Sequence, residues 1–212
     1  MKDPLESLLQ GGAQRPGDAP AEVAARLAQE PEAISRMPVL LGGADPRVRG
    51  GAAEALALFA ETDPDAVAPF VADLVAALDF EEIHTREQAW RALAAVALTQ
   101  PERLADEFDL IRLGAFDPAN PTIRRYAALA IARFGAGHPE RARRAFPHLA
   151  EALRRFHDRP RSADILGAIA LLARGGADAW LKGEIWKSAR KHERHPDPAM
   201  RQLVEEIGAL VR

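Results

Sequence analysis

The sequence predicts an all-α solenoid built from about five helix pairs. One helical pattern occurs five times, and in each copy apolar or small residues follow a first buried position at four, seven, eight and eleven places. This spacing is one stripe of a helix with about 3.6 residues per turn. The five first positions are Val48, Thr85, Ile123, Arg161 and Met200. The copies are therefore 37, 38, 38 and 39 residues apart, a period typical of proteins that stack like units.

Three copies carry a chemical signal for a helix start as well as a hydrophobic stripe. They open with an acid or an amide followed by proline, at Asp45-Pro46, Asn120-Pro121 and Asp197-Pro198. A side-chain acceptor at the N-cap satisfies a free backbone N–H, and proline at the first helical position loses no hydrogen bond. These dipeptides therefore predict where three of the repeated helices begin.

A second set of helices is predicted between the copies. Proline followed by an acid opens four segments, at Pro31-Glu32, Pro64-Asp65, Pro101-Glu102 and Pro139-Glu140, and a fifth opens near Ala177-Asp178. Pro38, Pro69 and Pro147 fall inside or near the ends of these segments. A proline there kinks a helix or marks its limit. Together with the repeated helices, these segments predict five antiparallel helix pairs.

The repeated motif resembles a known family. The run Asp-Pro-x-Val-Arg-x-x-Ala-Ala-x-Ala-Leu, from Asp45 to Leu56, resembles the second helix of a HEAT repeat, and Pro69 and Pro147 also resemble that family's pattern. The resemblance covers residues 31–212 and implies an armadillo/HEAT-like fold, a right-handed α–α superhelix of about five HEAT-like helix pairs. The fourth copy departs from the motif, with Arg161 in an apolar column and Ser162 where the other copies have arginine.

The chain divides into two predicted regions. Residues 1–30 are expected to form N-terminal cap helices joined by a mobile Gly/Pro-rich linker at residues 11–20, and residues 31–212 the HEAT-repeat solenoid. Leucines and a valine on the two short helices can cover the outer apolar face of the first repeat, as a terminal repeat requires. The alternative is a flexible arm that docks on another chain.

Composition excludes several kinds of site. The chain has no cysteine, so neither a disulfide nor a thiolate metal site is possible. It contains no G-x-S-x-G, no phosphate-cradling glycine motif and no H-E-x-x-H. No stretch approaches about 18 uninterrupted apolar residues, and the first residues lack the apolar run of a signal peptide. We therefore expect a cytoplasmic protein without cofactor, metal or membrane span.

The net charge of −3 is unevenly distributed. Residues 1–100 carry 8 basic and 16 acidic side chains, whereas residues 138–212 carry 15 basic and 10 acidic ones. Such asymmetry can steer a charged partner, although solvated helix faces also produce it.

Arginine follows the first stripe position in four copies, at Arg49, Arg86, Arg124 and Arg201. We call these residues the arginine column. Each is expected to reach an acid in its own or a neighbouring repeat and so to form a ladder between repeats. Phosphate binding is the alternative.

Arg91, Arg125, Tyr126 and Arg133 are the predicted partner-binding residues. The second helices usually line the concave face of a HEAT solenoid, and these side chains lie two, three, six or ten places after a stripe start. Arginine beside tyrosine suits an acidic peptide or a nucleic-acid backbone. No catalytic residue and no metal ligand is predicted.

Residues 180–195 hold a cluster of basic side chains with two tryptophans. The mixture suits RNA, DNA or an anionic surface. Trp180 shares one helical side with Glu184 and Lys187, however, and we interpret it as ordinary core packing. His192 and His195 form an H-x-x-H pair, which alone does not specify zinc.

The predicted function is a non-enzymatic scaffold that binds a protein partner on its concave face or terminal helices, because repeats cover the chain and leave no segment for catalysis. The alternative is nucleic-acid binding or repair, since some DNA glycosylases that excise alkylated bases are built from HEAT-like repeats. A lyase or a chaperone for a bound cofactor, similar to HEAT-like phycobilin lyases, comes third. The identity of the partner and the oligomeric state are left open.

Overall fold

The computed structural model describes residues 3–12 and 18–211, which form helices, turns and loops without a strand. By contacts, the chain divides into two compact units, Met1–Glu107 and Phe108–Arg212. The predicted division at residue 30 stays a prediction. Part of the predicted linker, residues 13–17, lies outside the described residues.

The α-helices of the first unit are α1 Pro4–Ser7, α2 Ala19–Gln29, α3 Met37–Leu41, α4 Pro46–Ala60, α5 Pro64–Val67, α6 Val71–Ala76 and α7 Ile83–Thr99. Among the described residues of this unit, α4 is the central helix, and it packs against α2, α3 and α7. Turns of 3-10 helix lie at Pro31–Arg36, Ala68–Phe70, Ala77–Asp79 and Pro101–Leu104, and a π-helical turn at Leu8–Gly12. Leu5, Val23 and Leu27 are fully buried.

In the second unit, the first and the second helix of each helix pair alternate along the chain. The first helices are α8 Phe108–Gly114, α10 Pro139–Phe156 and α12 Ala179–Ala189, and the second helices, which carry the stripe, are α9 Pro121–Gly135, α11 Ser162–Gly175 and α13 Pro198–Val211. The second helices form a layer in which α11 packs between α9 and α13. The first helix α10 packs against both α9 and α11, and α12 packs against α11 and α13.

The predicted stripe forms the core between these helices. Every stripe position is buried except Arg161 and the half-buried Val211. Ala55, Ala92 and Ala130 have no exposed surface, and Ala168 is 3% exposed. Small side chains at this position let neighbouring helices approach closely, so filling it would create overpacking.

The three predicted helix starts are confirmed by their N-cap hydrogen bonds. The Asp45 carboxylate accepts a hydrogen bond from the backbone N–H two residues later at 2.8 Å, and Asp197 accepts the equivalent bond at 2.9 Å. Asn120 accepts two such bonds, at 2.8 and 3.1 Å. In each case the helix begins at the following proline. The acid or amide therefore satisfies a donor that would otherwise be free.

The stripe template is wrong at the start of the fourth copy. Arg161 is exposed, and α11 begins only at Ser162. Arg161 has φ 64°, a left-handed conformation that is uncommon for residues other than glycine. No acid-proline dipeptide opens this helix, and Pro160 precedes the turn instead. The chain therefore enters this helix by a different turn.

The internal prolines have different effects on the first helices. Pro69 lies in the 3-10 turn that separates α5 from α6, as a helix-breaking residue should. Pro147 lies inside α10, which continues to Phe156, so it does not mark the limit of that helix. In the part of the chain that the structure describes, no helix is both long enough and apolar enough to cross a bilayer.

Candidate functional site

Three of the four members of the arginine column bind backbone carbonyls in the loops between helices. Arg49 Nη1 donates to the carbonyls six and five residues before it, at 2.7 and 3.0 Å. Arg201 Nη1 makes the same pair of bonds at 2.7 and 2.9 Å, and Arg124 Nη1 donates to the carbonyl seven residues before it at 2.9 Å. Each of these three arginines therefore fastens the loop that leads into its own helix.

Arg49 also makes the predicted contact with an acid of a neighbouring repeat. Its guanidinium hydrogen-bonds Glu82, the N-cap of the next repeated helix, and this bond lowers the pKa of Glu82. Arg124 is only 5% exposed, and its guanidinium lies over the Phe156 ring at 4.5 Å. Burial lowers the pKa of Arg124 from its ordinary value. The contacts of Arg49, Arg124 and Arg201 thus favour a structural role over phosphate binding.

The fourth copy replaces the missing arginine with a histidine from the next repeat. Ser162 stands in the arginine column, and His195 Nε2 donates to the carbonyl oxygen of His157 at 3.0 Å. His195 Nδ1 accepts a hydrogen bond from the Asp197 backbone N–H at 3.1 Å. Because the carbonyl can only accept and the amide can only donate, the partners assign His195 as the Nε2–H tautomer.

The structure brings together two of the four predicted partner-binding residues. Arg125 and Tyr126 lie on α9, and the Arg125 guanidinium is 5.1 Å from the centre of the Tyr126 ring. Arg133 lies on the same helix and is half-buried. Arg91 belongs to the first unit, where its Nη2 and Nε bind Glu61 at 2.7 and 2.8 Å.

Arg125 faces a carboxylate that it shares with a second arginine. Asp164 on α11 lies 4.0 Å from Arg125 and 4.0 Å from Arg161, at the limit of ion pairing. The Arg125 side chain is 41% exposed. One turn after Asp164, a side-chain carbon added at Gly167 would meet nothing within 4 Å. The face formed by Arg125, Tyr126, Arg133, Asp164 and Gly167, which we call the α9–α11 face, is therefore partly open and has excess positive charge.

A cavity of about 670 Å³ lies beside α10 and α12 in the second unit. Its volume falls in the range of ligand-binding cavities. We call it the α10–α12 cavity. Its lining residues are Phe146, Pro147, Ala150, Glu151, Arg154, His157, Glu184, Lys187, Ser188, Lys191, His192, Arg194 and His195.

Three histidines meet at the end of this cavity. The ring centres of His157 and His192 are 5.5 Å apart, those of His192 and His195 6.1 Å, and those of His157 and His195 6.5 Å. His157 Nδ1 bonds the carbonyl oxygen of Arg154 at 3.1 Å, so this nitrogen carries the proton. His157 was not predicted from the sequence. The available signal was its position 38 residues before His195, which is one repeat period.

The two carboxylates that line the cavity are already paired. Glu151 accepts hydrogen bonds from Arg154 at 2.5 and 2.7 Å, which lower the pKa of Glu151. Lys187 Nζ donates to Glu184 at 2.6 Å. Lys191 and Arg194, by contrast, form no ion pair with any described residue. The lining is therefore positively charged overall.

The interpretation of Trp180 as a core residue is wrong. Its side chain is 61% exposed, and the Arg143 guanidinium lies 5.6 Å from its ring centre. The buried positions of α12 are instead Leu181, Ile185 and Ala189. Among the residues the structure describes, no group of three or more histidine, aspartate or glutamate side chains is placed to hold a metal ion.

The comparisons with known proteins define the class of fold. No family model and no curated protein matches the sequence. A designed armadillo repeat protein solved in complex with peptide (KR)4 has a TM-score of 0.76 at 19% identity, over 99% of this chain and 100% of its own. A computationally designed armadillo repeat protein for modular peptide recognition has a TM-score of 0.71 at 18% identity, over 98% of each chain. The chain therefore has the predicted all-α, armadillo/HEAT-like solenoid fold.

Proposed function

We propose that this chain is a non-enzymatic scaffold that binds a protein partner through the α9–α11 face of its second unit. The armadillo-like fold commonly mediates protein and peptide binding, and two of the similar solved structures are designed armadillo repeat proteins, one in complex with peptide (KR)4 and one for modular peptide recognition. The supporting observation in this chain is Arg125, which stacks on Tyr126 and shares Asp164 with Arg161. Arginine and tyrosine are the residue types that most often dominate protein interfaces.

The charge of this face indicates an acidic partner. Two guanidiniums share the single carboxylate of Asp164 at 4.0 Å, and Arg133 adds a further basic side chain on α9. An incoming carboxylate can form the shorter, two-pronged contact with Arg125 that Asp164 does not make. The second unit also carries 19 basic and 12 acidic side chains, which favours approach of an acidic segment. This preference is opposite to that of a protein that binds (KR)4.

The assignment of Arg91 to the same binding surface stays a prediction. Its guanidinium already has a close partner in Glu61, so the proposal depends on Arg125, Tyr126 and Arg133 alone.

A selection from displayed random peptides tests this function. We expect the enriched peptides to be acidic and to bind Arg125→Ala and Tyr126→Ala variants about tenfold more weakly, as for truncation of interface anchors. Arg190→Ala is the matched control, because Arg190 is an exposed basic residue of the same unit that does not line the face. The control should bind as the unaltered chain does.

Two outcomes would contradict the proposal. One is a selection that enriches no acidic sequence, or enriches peptides whose binding is unchanged by both variants. The other is binding of a single-stranded oligonucleotide that weakens steeply between about 50 and 200 mM salt and depends on Arg125, with no peptide bound. That result would favour the nucleic-acid alternative.

A further inference from the structure

We infer that the α10–α12 cavity is a second binding site, which takes a short acidic peptide segment with at least one apolar side chain. This site goes beyond the proposed function, because it is built from first helices and shares no residue with the α9–α11 face.

The length of the lining matches a few residues of extended chain. On α10 and the turn after it, the lining runs from Phe146 to His157. Eleven helical steps of about 1.5 Å span about 16 Å. An extended peptide advances about 3.3 Å per residue, so the cavity accommodates about five residues.

One stretch of the wall is apolar. Phe146, Pro147 and Ala150 line the cavity from the middle of α10, with Pro147 exposed and Ala150 half-buried. Covering this exposed apolar surface with an apolar side chain of the ligand is favourable, because it removes that surface from water. A purely polar ligand would leave this stretch uncovered.

The opposite end of the wall is cationic. Arg154 neutralises Glu151, and Lys187 neutralises Glu184. Lys191 and Arg194 are therefore the unpaired charges among the described lining residues. Both lie next to the histidines, after the end of α12. A carboxylate at this end would face two cations and the rings of His157 and His192. This charge complementarity selects an acidic segment over a basic one.

His192 makes the site sensitive to pH. Burial lowers the pKa of His192 from its ordinary value, and charge on His157, His195 and Lys191 lowers it further. A bound carboxylate would favour protonated His192 and so raise its pKa. Binding should therefore strengthen as the pH falls from about 7 to about 5, while acidic side chains with a pKa near 4 remain largely ionised.

The other histidines and carboxylates around His192 differ in the partners that they already have. Both ring nitrogens of His195 already have partners, in the His157 carbonyl and the Asp197 N–H. His157 keeps Nε2 available, because its Nδ1 bonds the Arg154 carbonyl. The Glu151 and Glu184 carboxylates are held by their own basic partners. His157 Nε2 and the His192 ring are thus the imidazole groups left to face a ligand.

Fluorescence anisotropy with labelled eight-residue peptides tests the ligand class. We expect the peptide (EL)4 to bind the full chain, (ES)4 to bind more weakly because it lacks apolar side chains, and (KL)4 not to bind. Absence of (EL)4 binding at pH 6 would overturn the inference, as would equal binding of (ES)4. If a twelve-nucleotide oligothymidylate bound more tightly than (EL)4, the inference would be overturned in favour of a nucleic-acid ligand.

A matched pair of charge reversals tests the location. Lys191→Glu should weaken (EL)4 binding about tenfold or more, whereas Arg190→Glu should leave it unchanged, since Arg190 is adjacent and exposed but does not line the cavity. Arg125→Ala should also leave it unchanged, which separates this site from the α9–α11 face. Equal losses in Lys191→Glu and Arg190→Glu would show general charge attraction and contradict the site.

Histidine NMR gives a readout of occupancy at the cavity itself. On saturation with (EL)4, the His192 ring signals should shift and its titration midpoint should rise. The ring of His148, on α10 but outside the cavity lining, is the internal control. Binding with an unchanged His192 titration would place the peptide elsewhere and overturn the inference.

Discussion

Replacing Phe108 by alanine is expected to lower the free energy of unfolding by about 3–5 kcal/mol. Phe108 is 1% exposed, and its ring centre lies 4.5 Å from that of Phe134 at an interplanar angle of 32°. The Arg144 guanidinium covers the same ring at 4.5 Å, and His148 lies 5.8 Å away. The truncation would leave a cavity between α8, α9 and α10 and remove these ring contacts together.

Urea unfolding followed by circular dichroism measures this effect. Leu110→Ala is the control, because Leu110 is on the same helix but 53% exposed, and its loss should cost less than about 0.5 kcal/mol. Similar effects for the two substitutions would mean that Phe108 is not a core residue of the second unit.

Replacing Gly176 by alanine should destabilise the second unit by about 1–3 kcal/mol through overpacking. A side-chain carbon at Gly176 would lie 2.5 Å from the carbonyl oxygen of Gly135 and 3.2 Å from the backbone nitrogen of Gly137. The obstacle is backbone, which cannot rotate away as a side chain does. The same junction holds a hydrogen bond from the Gly137 N–H to the Gly175 carbonyl at 2.8 Å, so successive repeats touch here through their main chains.

Replacing Gly167 by alanine should have the opposite effect on the free energy of unfolding in urea. It lies inside α11, where an added side-chain carbon meets nothing within 4 Å. Alanine there should stabilise the chain by about 0.5–1 kcal/mol, because glycine loses more backbone freedom in a helix. If Gly176→Ala stabilised the chain as much as Gly167→Ala, the close approach of the repeats would be refuted.

The stripe and the helix starts were predictable from sequence because both depend on local spacing. Residues three to four places apart share one side of a helix, so the spacing of the apolar residues from Val48 to Phe59 identifies a buried face before any neighbouring helix is known. Asp45, Asn120 and Asp197 act within two or three residues of themselves, and their caps were found as predicted. The entry to the fourth copy was missed because its left-handed turn at Arg161 carries no such dipeptide.

The features of the candidate sites depend on contacts between repeats, which spacing within one helix does not give. The sequence places Arg125 and Tyr126 on one side of α9, but not the shared Asp164 on α11. The histidine cluster joins residues 35 and 38 apart, and only the stacking of two repeats brings them together. Trp180 was misassigned for a related reason, since helical spacing identifies a side but not which side is covered.

If the repeats are like units, each burying its stripe against its neighbours rather than in one shared core, then one whole repeat can be removed without loss of the fold. A chain that lacks residues 158–196 provides the test. The deletion removes α11 and α12 and joins His157 to Asp197, so that α13 follows α10 with its own cap.

Circular dichroism during urea unfolding of this shortened chain is the deciding measurement. If the repeats are equivalent units, the chain should keep its remaining helix content and unfold cooperatively at a lower urea concentration, because one repeat and one interface have been lost. Loss of the helical signal without denaturant would contradict the claim, since it would mean that the deleted helices belong to a core that the whole chain requires.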